Sequence, residues 1–308
     1  MILCADIGGT NARLALAAPG TANPVAERQY VCADYPAFEP ILADYLAATA
    51  AEIHAGCLAV AGPIDDSGQH ASLTNLPWTI DADALAVRFG IAGLRLANDF
   101  AAAAMGVTAA PAETLVPIQT GQALPGAPRL VVGAGTGLGM AILVREGDFW
   151  KVLPGEGGHV GFAPQDEDQV KIWQALYAKH GRVTVERVVS GPGLAAIHQI
   201  FTGLAADPAD ITRLALSDDN LAARRSLDIF LSAYGAFAGD MALLAMARGG
   251  VFLAGGIAPR LLSSFRQNSF LSSFNAKGAH AALAKRMPVA VATDPMLGLR
   301  GAALLAVS

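Results

Sequence analysis

The 308-residue chain carries 26 acidic and 21 basic residues, giving a formal net charge of −5, and 53% of its residues are hydrophobic. This length slightly exceeds the size at which one hydrophobic core stops growing, so we expect two domains. The acidic balance and the lack of a basic run argue against nucleic acid as a main partner. Three scattered cysteines, Cys4, Cys32 and Cys57, are too few for a disulfide framework or a Cys-x-x-Cys metal site and favour a reducing compartment.

The sequence shows no targeting or membrane segment. Residues 1–6 lack the basic region, apolar core and cleavage site of a signal peptide. Charge-free stretches are interrupted by Gly, Pro, Thr or Gln before they reach the roughly 20 apolar residues that span a bilayer. We therefore predict a cytoplasmic protein without a membrane partner.

The first third of the chain alternates apolar runs with turns. The predicted strands cover residues 1–5, 12–17, 58–61 and 94–97, and one helix covers 81–89. Asp81 is placed to cap that helix and Gly90 to end it. The last of these strands carries Asn98 and Asp99 at its carboxyl end, and an alanine-rich helix follows closely.

The rest of the chain repeats the opening hairpin. Strands 130–133 and 138–144 flank a turn of glycine and threonine, about 125 residues after the matching hairpin 2–16. A long predicted helix carries Phe230 and Tyr234 on an aromatic stripe at helical spacing, which is typical of a core helix. The further predicted elements are helices 166–180, 226–248 and 297–306 and strands 251–254 and 289–292. Strands that alternate with helices predict the α/β class.

Three glycine-rich turns follow apolar strands and suit phosphate binding. Glycine has no Cβ, so a phosphate can approach its N–H group closely. Successive N–H groups form an anion-binding concavity, to which the hydroxyls of Thr10 and Thr136 add donors. The spacing matches neither a P-loop nor a dinucleotide fingerprint, and one such turn alone is usually only a turn. The three together favour a nucleotide site formed by Gly8, Gly9, Thr10, Asn11, Gly133, Gly135, Thr136, Gly137, Gly255 and Gly256.

Asp6 stands directly before the first glycine turn. A carboxylate beside a phosphate loop repels the ligand unless a cation lies between them, so Asp6 suggests Mg²⁺ positioning. The alternative is that Asp6 only caps the turn. No lysine of the P-loop type adjoins any of the turns, so Arg13 could meet phosphate charge or could pair with an acidic neighbour.

Residues 6–13 resemble the first phosphate segment of the superfamily that contains sugar kinases, heat-shock chaperones and actin. Residues 133–137 resemble its second phosphate segment, and residues 254–257 its adenosine segment. More narrowly, the chain is similar from end to end to bacterial glucokinases. The segments that carry this resemblance are 96–100, 154–159 and 186–193.

The resemblance implies a two-lobed actin-like ATPase (ribonuclease H-like) α/β fold with a cleft between a smaller and a larger domain. The smaller domain would contain residues 1–109 plus 293–308, and the larger one residues 110–292. It further implies a homodimer that phosphorylates glucose at the 6-hydroxyl with ATP and Mg²⁺, giving glucose 6-phosphate and ADP in glycolysis. Gly161 departs from the family pattern, because many members carry Asp or Glu there.

A selective hexose pocket needs carboxylates and amides that converge on the sugar hydroxyls. Phosphoryl transfer also needs one group near the attacking hydroxyl to take its proton, and Asp99 is the candidate base. Its alternative role is to cap the helix from Phe100 onward. The resemblance assigns sugar contacts to Asn98, Asp99, Glu156, His159 and Glu186.

Three other functions fit parts of this pattern. A kinase for another hexose or amino sugar, such as mannose, fructose, glucosamine or an anhydro-amino sugar, would need only small changes in pocket geometry. A sugar-sensing regulator would bind sugar and ATP without transferring phosphate. A filament or chaperone ATPase would leave the sugar-binding set without a purpose. The cysteine-rich zinc motif of the repressor, open-reading-frame and kinase family is absent from the sequence.

Overall fold

A computed structural model describes residues 1–217, 220–265 and 269–307. Contacts between Cα atoms divide the chain into two compact units. The first contains Met1–Ala112, Trp150–Pro154 and the segment from Asp294 to the C-terminus. The second contains Glu113–Phe149 and Gly155–Thr293.

Helices and strands alternate along much of the chain, as the α/β prediction requires. The strands are β1 Ile2–Ile7, β2 Asn11–Ala17, β3 Val25–Val31, β4 Ala55–Val60, β5 His70–Ser72, β6 Thr79–Asp81, β7 Leu94–Asn98, β8 Leu115–Gln119, β9 Arg129–Ala134, β10 Leu138–Glu146, β11 Phe149–Gly155, β12 Gly250–Ala254 and β13 Val289–Ala292. The α-helices are α1 Phe38–Thr49, α2 Ala82–Phe89, α3 Asp99–Gly106, α4 Glu167–His180, α5 Gly191–Thr202, α6 Pro208–Leu216, α7 Leu221–Leu244, α8 Leu262–Phe265, α9 Ser269–Asn275, α10 Ala281–Lys285 and α11 Leu297–Leu305.

The first unit is built on a five-stranded sheet with the order β3-β2-β1-β4-β7. Strands β1 and β2 form an antiparallel hairpin, whereas β1, β4 and β7 run parallel. In this register Ile7 lies beside Val60, and Val60 lies beside Asn98. The carboxyl ends of these strands therefore bring the first glycine turn and Asn98 to one edge of the sheet.

Helices α3 and α11 cross at close range in the first unit. A Cβ added to Gly106 would lie 2.0 Å from the Leu297 carbonyl oxygen, and one added to Gly301 would lie 1.7 Å from the Ala102 carbonyl oxygen. Real side chains never come so near backbone atoms, so glycine at both positions allows the approach. This packing places the end of α3 against the start of α11 and so holds the helix that begins at Asp99.

The second unit contains a six-stranded sheet with the order β11-β10-β9-β12-β13-β8. Strands β9 and β10 form an antiparallel hairpin, which repeats the β1–β2 arrangement, and β12 runs parallel to β9 and to β13. Helix α7 packs its aromatic stripe into the core, where Phe230 and Tyr234 are fully buried. The Tyr234 hydroxyl donates a hydrogen bond of 3.2 Å to the Val132 carbonyl on β9.

Most of the predicted elements are confirmed, but the bounds of the long helix are wrong. Helix α7 begins five residues earlier than predicted, because the Asn220 side chain accepts a hydrogen bond of 2.9 Å from the Ala223 N–H group and caps it. It ends at Leu244, well before the glycine pair that was expected to stop it. Met246 takes a left-handed backbone conformation with a φ of 47°, which ends the helical path.

Helix α7 also corrects the prediction that no segment is long and apolar enough to cross a membrane. By length and composition alone, Leu221–Leu244 would suffice. Its most apolar window is 67% buried inside the protein, which is the character of a core helix. Buried in this way, helix α7 gives no sign of a membrane protein.

Candidate active site

The turn between β1 and β2 is closed by its own backbone. The Gly8 N–H group donates a hydrogen bond of 2.9 Å to the Asn11 carbonyl oxygen. Gly9 packs against Asn75, where an added Cβ would lie 2.9 Å from the Asn75 Cβ. The Thr10 side chain is exposed. The turn thus leaves the Gly9 N–H group and the Thr10 hydroxyl for an anion, and phosphate binding by residues 8–11 stays a prediction.

Asn98, not Asp99, caps helix α3. The Asn98 Oδ1 atom accepts hydrogen bonds from the N–H groups of Phe100, at 3.0 Å, and Ala101, at 3.1 Å. Asp99 is the first helical residue, and its Oδ1 atom also accepts from Phe100, at 2.8 Å. With its oxygen engaged, the Asn98 amide offers its NH₂ group as the donor to a ligand.

In the first unit, the charge of Asp99 affects the pKa of Asp6. Burial, the nearby charge of Asp99 and, in the opposite direction, the charge of Arg13 together raise the pKa of Asp6 to about 6. Burial also raises the pKa of Asp99, against the hydrogen bond from Phe100. A raised pKa makes a carboxylate a better proton acceptor once it is ionised, so Asp99 suits a general base.

The start of α11 packs directly against Asp6. A Cβ added to Gly298, in the first turn of that helix, would lie 2.5 Å from the Asp6 Oδ2 atom. The Arg13 guanidinium donates to the Pro295 carbonyl oxygen at 2.6 Å and to Glu27 Oε1 at 2.7 Å. These bonds support the alternative role of Arg13, in which it pairs with an acidic neighbour. Arg13 also holds the segment before α11 through the Pro295 carbonyl.

The second glycine turn lies at the centre of a network in the second unit. The Gly135 N–H group donates to the Gly137 carbonyl oxygen at 2.8 Å, and the Gly135 carbonyl accepts from Gly191 at 2.8 Å. Gly255 adopts a φ of 82° with its Cα beside the Ala134 carbonyl, a place that only glycine occupies without strain. The predicted phosphate and adenosine segments therefore adjoin.

A cavity of about 730 Å³ opens beside this turn. It lies between the turn, the start of α5, helix α6 and the segment after Gly256. Its volume and its mainly apolar walls are typical of a small-molecule site. The cavity is lined by Gly135, Thr136, Gly191, Pro192, Leu194, Asp207, Pro208, Ala209, Thr212, Arg213, Leu216, Ser217, Ile257, Arg260 and Leu261.

The sugar-binding candidates of the second unit gather around Leu138, the residue after the glycine turn. Glu186 Oε2 accepts a hydrogen bond of 2.8 Å from the Leu138 N–H group. Gly158 packs against the other side of Leu138, where an added Cβ would lie 2.2 Å from the Leu138 carbonyl oxygen. Glu156 and His159 flank this glycine, with Glu156 Oε2 3.7 Å from His159 Nε2.

Backbone pairing joins these two sugar segments. The Val185 N–H group donates to the Val160 carbonyl oxygen at 3.0 Å, and Gly161 forms an antiparallel bridge with Thr184. Glu186 therefore follows directly from a segment that is paired with the chain after His159. An alanine at 161 would meet no heavy atom within 4 Å, so this departure from the family pattern leaves local packing intact.

Comparison with known proteins identifies the family. The family model for glucokinase matches residues 3–308. The glucokinase of Tolumonas auensis is 38% identical over 97% of this chain and 95% of its own. The chain belongs to the glucokinase family.

Solved structures agree with this assignment. A glucokinase from an Antarctic psychrotroph superposes with a TM-score of 0.87 at 34% identity, covering 99% of this chain and 98% of its own. A glucokinase from Balamuthia mandrillaris, solved in complex with glucose, superposes with a TM-score of 0.84 at 23% identity, covering 100% and 93%. At 23% identity, the likeness to the Balamuthia mandrillaris structure supports the fold alone. The predictions of a glucokinase enzyme and of the actin-like α/β fold of sugar kinases are confirmed.

The residues present fit one hydrated Mg²⁺ rather than a metal held by protein alone. Within residues 1–217, 220–265 and 269–307, no group of three His, Cys, Asp or Glu side chains could hold a metal. Mg²⁺ in phosphate-transfer sites usually keeps several waters and takes one or two carboxylates plus phosphate oxygens. The half-buried Asp6, beside backbone suited to phosphate, supplies such a carboxylate.

Sequence reasoning missed the groups that hold the site in place. Gly298 and the carbonyl of Pro295 lie almost 300 residues after Asp6, and no motif connects them to it. The sequence predicted the glycine turn that forms one wall of the cavity, but not the walls on α5 and α6. The one available signal was Ser190-Gly191-Pro192, in which the serine caps α5 and the proline takes its first turn.

Proposed function

We propose that this chain transfers the γ-phosphoryl group of ATP to the 6-hydroxyl of glucose, giving glucose 6-phosphate and ADP. Family membership supports the reaction class. The observation that supports the chemistry is the half-buried Asp99 carboxylate, which is fixed at the carboxyl end of β7 by the Phe100 N–H group and has a raised pKa.

In this proposal Asp99 accepts the proton of the 6-hydroxyl as that oxygen attacks phosphorus. General-base catalysis of this kind contributes roughly 10²–10⁴-fold to a rate. The Asn98 amide donates to a sugar hydroxyl, because its oxygen is already engaged with α3. Glu156, His159 and Glu186 bind further hydroxyls of the sugar, and carboxylates accept strongly from such donors.

The glycine turns serve the nucleotide. The N–H group of Gly9 and the Thr10 hydroxyl bind phosphate, as do the N–H groups of Thr136 and Gly137. Gly8, Asn11, Gly133 and Gly135 shape the two turns, since the N–H groups of Gly8 and Gly135 already donate to the Asn11 and Gly137 carbonyl oxygens. The 730 Å³ cavity takes the nucleoside, and Gly255 and Gly256 directly precede its wall residue Ile257. Asp6 would hold Mg²⁺, which when bound neutralises charge on the transferring phosphoryl group.

The remaining proposals concern the setting of the enzyme. The cytoplasm suits the three free cysteines, because thiols persist in reducing compartments. A role in glycolysis and a homodimer follow the resemblance to bacterial glucokinases. The acidic net charge supports the absence of a nucleic-acid partner.

The test is ADP release from ATP and Mg²⁺ against a panel of glucose, mannose, fructose and glucosamine, with a sugar-free control and with the product identified by phosphorus NMR. We expect turnover with glucose and a product phosphorylated at the 6-position. Preferred turnover with another sugar would change the substrate, whereas ADP release that ignores every sugar would overturn the kinase proposal in favour of a plain ATPase.

A further inference from the structure

The two oxygens of the Glu186 carboxylate can serve two different partners. Its Oε2 atom accepts the N–H group of Leu138 at 2.8 Å. A carboxylate has two oxygens, so Oε1 stays available to a sugar hydroxyl under the proposed function. Because Leu138 follows directly on the glycine turn, the sugar ligand is anchored to the phosphate hairpin itself.

The same hairpin faces the nucleotide cavity. Gly135 and Thr136 line the cavity, and the Gly135 carbonyl accepts from Gly191, which lines it as well. Residues 186–191 therefore contact the hairpin twice, through the Glu186 side chain and through the Gly191 backbone. An ordered hairpin presents its N–H groups in fixed positions. A contact that immobilises the Glu186 carboxylate therefore also orders the N–H groups that face the nucleotide cavity.

We propose that Glu186 is a positioning residue that couples sugar binding to nucleotide binding through the hairpin 135–138. A sugar hydroxyl on Oε1 fixes the carboxylate, the carboxylate fixes the Leu138 amide, and the hairpin then binds phosphate at a lower ordering cost. Thermodynamic linkage requires the reverse effect of equal size, so nucleotide must also tighten sugar binding. This inference rests on the proposed function.

The structure supplies a second way to disturb this contact. A Cβ on Gly137 would lie 2.6 Å from Glu186 Oε2, and the Gly137 backbone lies outside the left-handed region. Gly137→Ala should therefore push the carboxylate away from the Leu138 amide while leaving the carboxylate in the protein. Gly161→Ala is the matched control, since its Cβ meets nothing within 4 Å.

The experiment titrates the whole protein with Mg²⁺ and ADP by calorimetry, with and without saturating glucose. The ratio of the two dissociation constants is the coupling factor, and we expect about 5-fold or more for the wild type. Glu186→Ala and Gly137→Ala should reduce it to about 1. Glu156→Ala, which removes an 88% exposed carboxylate that does not share the Leu138 hydrogen bond, should weaken glucose binding yet keep the coupling once glucose saturates.

Each outcome decides the question. If Glu186→Ala no longer binds glucose, its coupling factor cannot be measured. The comparison between Gly137→Ala and its control Gly161→Ala then tests the coupling. A wild-type factor of about 1, or a wild-type factor retained in Gly137→Ala, would overturn the coupling while glucose-dependent turnover leaves the proposed function in place. A wild type that binds no glucose would overturn both.

Discussion

Asp6 and Asp99 occupy positions where an ionised carboxylate destabilises the folded protein but suits the proposed phosphoryl transfer. Both carboxylates are half-buried, and burial raises the pKa of each. The negative charge of Asp99 adds to the effect at Asp6. An ionised Asp6 is therefore less favourable in the folded protein than in the unfolded chain, and a bound cation would relieve this cost.

Asp6→Asn should raise the melting temperature of the metal-free protein, and more so at pH 8 than at pH 5. The folded-state pKa of Asp6 is about 6, above the unfolded value of 3.8, so the wild type loses stability as pH rises through that window. In the folded protein at pH 5 the Asp6 carboxyl is already mostly protonated, so replacing it with asparagine removes a smaller destabilisation. We expect a difference of a few degrees at pH 8, measured by calorimetry.

Asp65→Asn is the control, because its shift has the opposite sign. Hydrogen bonds, first from Ser67 and then from the backbone of His70 and Gln69, lower the pKa of Asp65 to about 2. Its contribution is complete above the unfolded pKa, so Asp65→Asn should lower the melting temperature at both pH 5 and pH 8. An Asp6→Asn effect that does not change with pH would contradict the raised pKa of Asp6.

At the scale of elements, α11 contacts both the Asp6 carboxylate, through Gly298, and the helix that begins at Asp99, through Gly301. Gly301→Ala would place a Cβ 1.7 Å from the Ala102 carbonyl oxygen, a backbone atom that cannot yield without moving α3. Overpacking of this kind costs about 1–3 kcal/mol, more than the gain in helix propensity of up to about 1 kcal/mol. We therefore expect a lower melting temperature together with a lower turnover number.

Gly93→Ala is the matched control for this prediction. Its Cβ would meet only the Ala55 Cβ, at 4.0 Å, which is an ordinary van der Waals contact. Thermal unfolding and turnover of the two variants are measured side by side. Equal stability of Gly301→Ala and Gly93→Ala would show that α3 and α11 do not depend on this close approach.

Local signals in the sequence determined the elements that were predicted well. Asp81 accepts from the Ala84 N–H group, so the predicted cap begins its helix, and Asp166, the predicted first residue of helix 166–180, accepts from the Gln169 N–H group as its cap. The aromatic stripe of α7 was predicted for the same reason, since periodicity is local. Its C-terminal end was missed because Met246 adopts a positive φ, which is rare for a side chain of this type.

At the scale of the whole molecule, the site residues come from segments far apart in sequence, which limits what one sequence can predict. Family resemblance supplied the residues to consider, such as Glu186 and Asn98, but not their partners. The Glu186 bond to the Leu138 amide spans 48 positions, and the Arg13 bond to Pro295 spans 282. Such contacts follow from strand order and loop pairing, which a single sequence does not encode locally.

Glucose-dependent phosphoryl transfer with Asp99 as the base is tested by comparing the wild type with Asp99→Asn in one experiment. ADP release is measured with Mg²⁺ and ATP, with and without glucose, and glucose binding is measured by calorimetry on the same samples. We predict glucose-dependent release in the wild type and a loss of roughly 10²–10⁴-fold in Asp99→Asn, with glucose binding retained. Glucose-independent release by the wild type, or near-normal turnover by Asp99→Asn, would contradict the account.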